Sequence, residues 1–199
     1  MRSWLATAAL ASAAIATFAG HGAGSPDAPH ARAPISSRFG GARHEAAEAR
    51  ALQRYLARVE PIRAGVNRLL DGADPVLARY GRHRLGSHAA ADEVRRLERR
   101  FAGYAGAVRR LAPVPRRLAR AHRAYARTYL LEDAYLRALA AAIPSRRFGL
   151  LPRTEEAQRR AIVAWRRRLE AVAARLGVRL PAYVQVAGRG EIAPSPVGR

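Results

Sequence analysis

The chain has 199 residues, enough for one ordinary domain rather than two. Hydrophobic residues make up 49% of it and cysteine is absent, which excludes disulfides, thiolate metal sites, a cysteine nucleophile and lipid attachment at cysteine. The formal net charge is +21, a surplus that attracts phosphate, anionic lipid or acidic polymer, yet all 36 basic residues are arginine. A GC-rich coding sequence raises Arg, Ala, Gly and Pro together and depletes Lys, so composition is the preferred main cause of the charge. Arginine nevertheless presents a planar fork that suits oxyanions.

Residues 1–24 have the three-part layout of a secretory signal. Arg2 is followed by an uncharged apolar run over residues 4–19, and Ala19 with Thr17, or Gly24 with Gly22, offers small residues for cleavage. The run is shorter and weaker than the ~20 strongly apolar residues of a membrane-spanning helix, which sets an uncleaved anchor second. Removing residues 1–24 takes away only Arg2 and leaves a net charge of +20. Residues 25–42 carry prolines and glycines but no apolar period, and they read as a disordered spacer. Residues 187–199 have the same character and read as a flexible tail.

Between them, over residues 43–186, the pattern is helical. Leu52, Leu56, Val59, Ile62, Val66, Leu69 and Leu70 share one helical face, which keeps its phase across Pro61. One helix over residues 43–71, kinked at Pro61, therefore fits better than two. Asp74 and Pro75 open a short helix to about His83. Ser87 is placed to cap the next long helix, whose stripe is Val94, Leu97, Phe101, Tyr104, Val108 and Leu111. Steps of three and four in alternation suit a helix packed nearly parallel to its neighbours. After Pro113 and Pro115 a third long helix carries Leu118, Tyr125, Tyr129, Leu136, Leu139 and Ile143, up to Pro144. Pro152 and Thr154 open a fourth, with Ile162, Trp165, Leu169, Val172 and Leu176, closed by Gly177. Alternation with period two occurs only at residues 182–187, too short to carry a sheet. The expected fold class is all-α: an up-down four-helix bundle with one additional short helix.

Two groups of residues stand out. His122, Tyr125, Tyr129 and Glu132 interrupt the apolar stripe of the third long helix and form a candidate ligand-binding set. The competing reading is a structural one, in which the tyrosines and Glu132 bond to each other or to arginines from facing helices. Arg116, Arg120, Arg123 and Arg127 form a stripe roughly opposite that core and are candidates for anion binding. Arg95, Arg96, Arg99 and Arg100, and Arg166 to Arg168, add further arginine. Local pairs such as Asp92 with Arg96 and Glu156 with Arg160 are each worth about 0.3–0.5 kcal/mol and cannot neutralise the surplus.

Motifs for chemistry are missing. No Glu-x-x-His step of the di-iron type occurs, and the run from His44 lacks the second histidine of a zinc protease motif, with Glu48 in its place. There is no Gly-x-Ser-x-Gly, and Gly188-Arg189-Gly190 is followed by no helix that could cradle phosphate. No catalytic residue, metal or cofactor is assigned. The expectation is an exported, non-catalytic helical bundle that associates with anionic cell-envelope lipid or polymer. The alternative is a small-ligand or metal-binding bundle using the His122-to-Glu132 stripe. Nucleic-acid binding suits the charge but conflicts with export and with arginines spread over several helices.

Overall fold

The computed structural model describes residues 36–189, whose regular elements are all helices joined by short connections, with no strand among them. The expected signal, the spacer up to residue 35 and the tail from residue 190 lie outside the described residues. The chain forms α1 (Ser36–Asp71), α2 (Ala73–Gly81), α3 (Ser87–Arg109), a 3-10 turn (Arg116–Leu118), α4 (Ala119–Ser145), α5 (Leu151–Arg175) and a short α6 (Ala182–Gln185). No helix of the described residues is long and apolar enough to cross a membrane.

α1 begins at Ser36, ahead of the Arg43 start that the apolar stripe suggests, and continues through Pro61 as one helix. Pro61 is exposed while Val59 and Val66 are buried, so the missing N–H falls on the solvent side and the buried face stays in phase. α2 opens at Ala73 with Asp74 already inside it. Ser87 is the first residue of α3 rather than its cap; Gly86, in extended conformation, precedes it and no side chain caps the helix. The stripe of α3 is buried at Val94, Leu97, Phe101 and Val108, with Tyr104 and Leu111 packed at its margin.

α4 is the most enclosed helix, packing against α3 on one side and α5 on the other. Leu118, Tyr125, Tyr129, Leu136, Leu139 and Ile143 are all buried, as the stripe requires. Its end includes Pro144 in the last turn, and the Ile143 carbonyl there accepts two bonds, from the Arg146 N–H at 3.3 Å and from the Tyr80 hydroxyl of α2 at 3.2 Å. Two arms of the Arg58 guanidinium donate to the Ala112 and Pro113 carbonyls at 2.6 and 3.1 Å, holding the α3–α4 connection against α1.

Gly177 closes α5 with φ +61. The Val178 N–H reaches the Ala173 carbonyl at 2.9 Å and the Gly177 N–H reaches Ala174 at 3.4 Å, the paired bonds of a left-handed C-terminal cap. The short alternating segment at residues 182–187 forms α6 and the turn after it, not a strand. Leu180 and Val184 enter the core, and the Arg63 guanidinium lies 4.6 Å from the centre of the Tyr183 ring.

Residues 187 and 188, just beyond α6, are held against α5. Arg166 donates to the Ala187 carbonyl at 2.9 Å and Arg159 to the Gly188 carbonyl at 3.2 Å. Gly188 has φ +79, and a Cβ there would sit 2.7 Å from Val163 Cγ2. Gly188→Ala is therefore expected to cost on the order of 1 kcal/mol or more locally. It should speed tryptic cleavage after Arg189 and amide exchange at residues 187–189 while barely moving the melting temperature; unchanged cleavage and exchange would refute the anchoring.

Candidate functional site

The polar stripe of α4 does not converge on one point. His122 and Glu132 are separated by about 15 Å of helix rise, too far to share one ion. The stripe divides into three local arrangements. His122 is part-buried and meets Tyr55 of α1 edge-on, with ring centroids 6.0 Å apart. Burial lowers its pKa, and the nearby Arg58 guanidinium adds to that. Tyr125 and Tyr129 do come together: their hydroxyls are 2.8 Å apart, one donating to the other. Tyr125 also packs on Trp165 of α5 at 4.7 Å, and Tyr129 stacks on Phe101 of α3 at 5.7 Å. Burial raises the pKa of both tyrosines, Tyr129 to about 12, so the pair acts as neutral hydroxyls.

Glu132 is 2% exposed and lies in phase with the apolar stripe. Its partner is not an arginine but Gln158 of α5, whose side-chain amide donates to Glu132 Oε2. Oε1 is buried without a hydrogen-bond partner. Burial is the main reason its pKa rises to about 8; the Gln158 bond opposes the rise and the Glu155 carboxylate adds to it. At neutral pH Glu132 is therefore chiefly a protonated carboxylic acid, and a neutral acid can sit in a core without a cationic partner. Gln158 has its own signature in the sequence: it occupies the apolar stripe of α5 two turns before Trp165, as Glu132 occupies that of α4. Two polar residues in phase on two facing stripes are the signal that could have paired them.

The arginines give a different result. Arg120, Arg123 and Arg127 of α4 are exposed and line a groove of about 640 Å³ together with Arg160 and Arg168 of α5. Its floor is small and apolar: Ala124, Ala157, Ala161 and Ala164. Arg116 does not belong to it. It lies in the 3-10 turn, beside a separate hollow of about 120 Å³ lined by Leu52, Leu118, Val172 and Leu176, where neighbouring Arg117 binds Glu48 at 2.7 Å. Of the five groove arginines, Arg160 pairs with Glu156 at 3.2 Å; among the described residues no carboxylate pairs with Arg120, Arg123, Arg127 or Arg168. On α3 the expected Asp92–Arg96 pair is replaced by Asp92–Arg95 at 2.5 Å and Glu93–Arg96 at 2.6 Å.

Among the described residues no group of three or more His, Asp or Glu side chains is placed to hold a metal ion. Comparison with protein-family models, curated proteins and solved structures gives no match, so chemistry is the only guide to function.

Proposed function

We propose that this chain is an exported, non-catalytic helical module that associates with anionic cell-envelope material through the arginine-lined groove between α4 and α5. The observation that carries the reading is the convergence of five arginines from two helices on one recess, four of them with no carboxylate partner among the described residues. Arginine forks set around an alanine floor offer oxyanions paired hydrogen bonds and no competing acid beyond Glu156. Export rests on Arg2, the apolar run of residues 4–19 and the small residues that follow. In the same reading the four long helices run up and down as a bundle, with α1 bent at Pro61, which the short connections between α3, α4 and α5 favour.

Binding of the full chain to vesicles rich in phosphatidylglycerol, or to polyphosphate, is expected at low salt. It should weaken steeply as the Debye length falls from about 10 Å at 0.1 M salt to about 3 Å at 1 M. Failure to bind either at low salt would sink the proposal.

A small-ligand or metal site at the polar stripe is the second reading, favoured by one observation, the unpartnered Oε1 of Glu132. In the same preparations added Zn²⁺ or Mg²⁺ should leave the melting temperature unchanged. A rise in melting temperature that Glu132→Gln abolishes would move the assignment to the stripe.

A further inference from the structure

The α4–α5 groove has a neighbour. A second recess of about 510 Å³ lies along the adjoining face of α5, lined by Arg159, Arg160, Arg167 and Arg168 with Val163 and Ala164. The two share Arg160, Ala164 and Arg168. We infer that they form one track over α5 that binds a linear chain of linked phosphates, rather than a single phosphate group. The inference rests on the anion-binding reading above and names its ligand.

Three features select the ligand. The first is length. About 12 Å of helix rise separates Arg160 from Arg168, and about 10 Å separates Arg120 from Arg127. One phosphate can engage an arginine or two at one end of such a site; only a chain of phosphates engages both ends together. Each added phosphate then binds within an existing complex, at high effective concentration.

The second is the floor. Alanines meet the ligand where a nucleic-acid-binding groove would present aromatic rings for base stacking. The aromatic residues Tyr125, Tyr129, Tyr135 and Trp165 on these two helices are buried in the core. The track therefore offers binding to phosphate oxygens and nothing to a base.

The third is shape. Ala157 and Ala164 are part-exposed on the floor of the recess between the exposed arginines, while Ala124 and Ala161 are buried. A flexible chain can descend to that floor, whereas the headgroup plane of a bilayer meets only the rim. The one acid that lines the track is Glu156, already bound to Arg160. Inorganic polyphosphate and a phosphodiester polymer such as poly(glycerol phosphate) share the required chemistry. They differ in charge spacing, which is closer in polyphosphate.

The test is a binding series on the full chain with orthophosphate, tripolyphosphate, polyphosphate of a few tens of units, poly(glycerol phosphate), single-stranded oligothymidylate and phosphatidylglycerol vesicles. Two variants are compared with the parent. One carries Arg123→Gln, Arg127→Gln and Arg168→Gln; the other carries Arg82→Gln, Arg84→Gln and Arg109→Gln. The second removes the same charge from exposed positions away from the track. Affinity should rise at least ~10-fold from tripolyphosphate to the longer chain, since each further phosphate binds intramolecularly.

The track variant should bind the longer chain ~10- to 100-fold more weakly. Its salt slope should shrink by about 2, at about 0.7 for each phosphate of a flexible strand that is no longer neutralised. The charge-matched control should weaken much less. Stronger binding of polyphosphate than of poly(glycerol phosphate) assigns the closely spaced chain, and the reverse order assigns the phosphodiester polymer. Chain-length-independent affinity, or tighter binding of oligothymidylate, overturns the inference. If the track variant loses vesicle binding while polyphosphate shows no length effect, the linear-chain inference fails and the groove reading stands. If both variants weaken equally on every ligand, both fail.

Discussion

Glu132→Gln should make the protein more stable at neutral and alkaline pH and leave it near the parent in acid. The cause is the buried carboxyl, whose folded pKa of about 8 lies well above the value of 4.5 it takes when exposed. Between those values the native state keeps a proton that the unfolded chain releases, so stability falls as pH rises. The contribution of Glu132 is fully present below about pH 4.5, is lost as pH rises to about 8, and is flat beyond it. The linkage slope is about 1.4 kcal/mol per pH unit, which bounds the total near 5 kcal/mol. Relaxation and water entry around the charged form return part of this, leaving about 2–4 kcal/mol to gain at about pH 8.5. Glutamine is close in shape, never charges and can still accept the Gln158 amide bond. His122 works in the opposite direction, because its lowered pKa removes stability in acid, but it is present in both proteins and cancels in their difference. Urea unfolding of both proteins from about pH 4 to about pH 9 measures that difference. A difference that does not change with pH would mean that Glu132 is already charged in the folded state.

Periodicity makes the helices legible in the sequence because burial in a helix repeats every three or four residues regardless of what it is buried against. Leu52 to Leu69, Val94 to Val108 and Leu118 to Ile143 are in the core for that reason. What depends on other segments is harder to read. Ser87 resembles a cap because serine favours that role, but extended backbone at Gly86 places the boundary one residue earlier. Arg116 shares a four-residue spacing with Arg120, yet the turn after Pro115 is 3-10, with three residues per turn, and this takes Arg116 out of the helical phase.

The site is half legible. Arg120, Arg123 and Arg127 lie outward, as their offset from the apolar stripe requires. Spacing alone does not join Arg160 and Arg168 to them, because which face of α5 borders α4 is a tertiary fact. The polar stripe misleads in the other direction. Its four members share a helical face, but a face runs the length of a helix, so only Tyr125 and Tyr129 meet, while His122 and Glu132 each face a different helix.

Trp165→Ala should be the most damaging single truncation of α5, at about 3–5 kcal/mol. Trp165 is 1% exposed and is the bulkiest of the fully buried side chains. It carries the face of α5 that also buries Gln158, Ala161, Leu169 and Ala173, and its ring packs against Tyr125. Alanine leaves a cavity between α4 and α5 that helices of this length cannot close by sidestepping. A loss of that size approaches the whole stability of many domains, so Trp165→Phe, which keeps a ring against Tyr125, is the companion variant and should cost about 1–2 kcal/mol. The same helix presents Arg160, Arg167 and Arg168 outward, so core and track are separable on one element. Measured below its lowered melting temperature, Trp165→Phe should bind polyphosphate as the parent does, while the triple arginine variant should melt as the parent does and bind weakly. Loss of polyphosphate affinity in Trp165→Phe at full helicity would show that the spacing of α4 and α5, set by this ring, determines how the arginines across the groove meet their ligand.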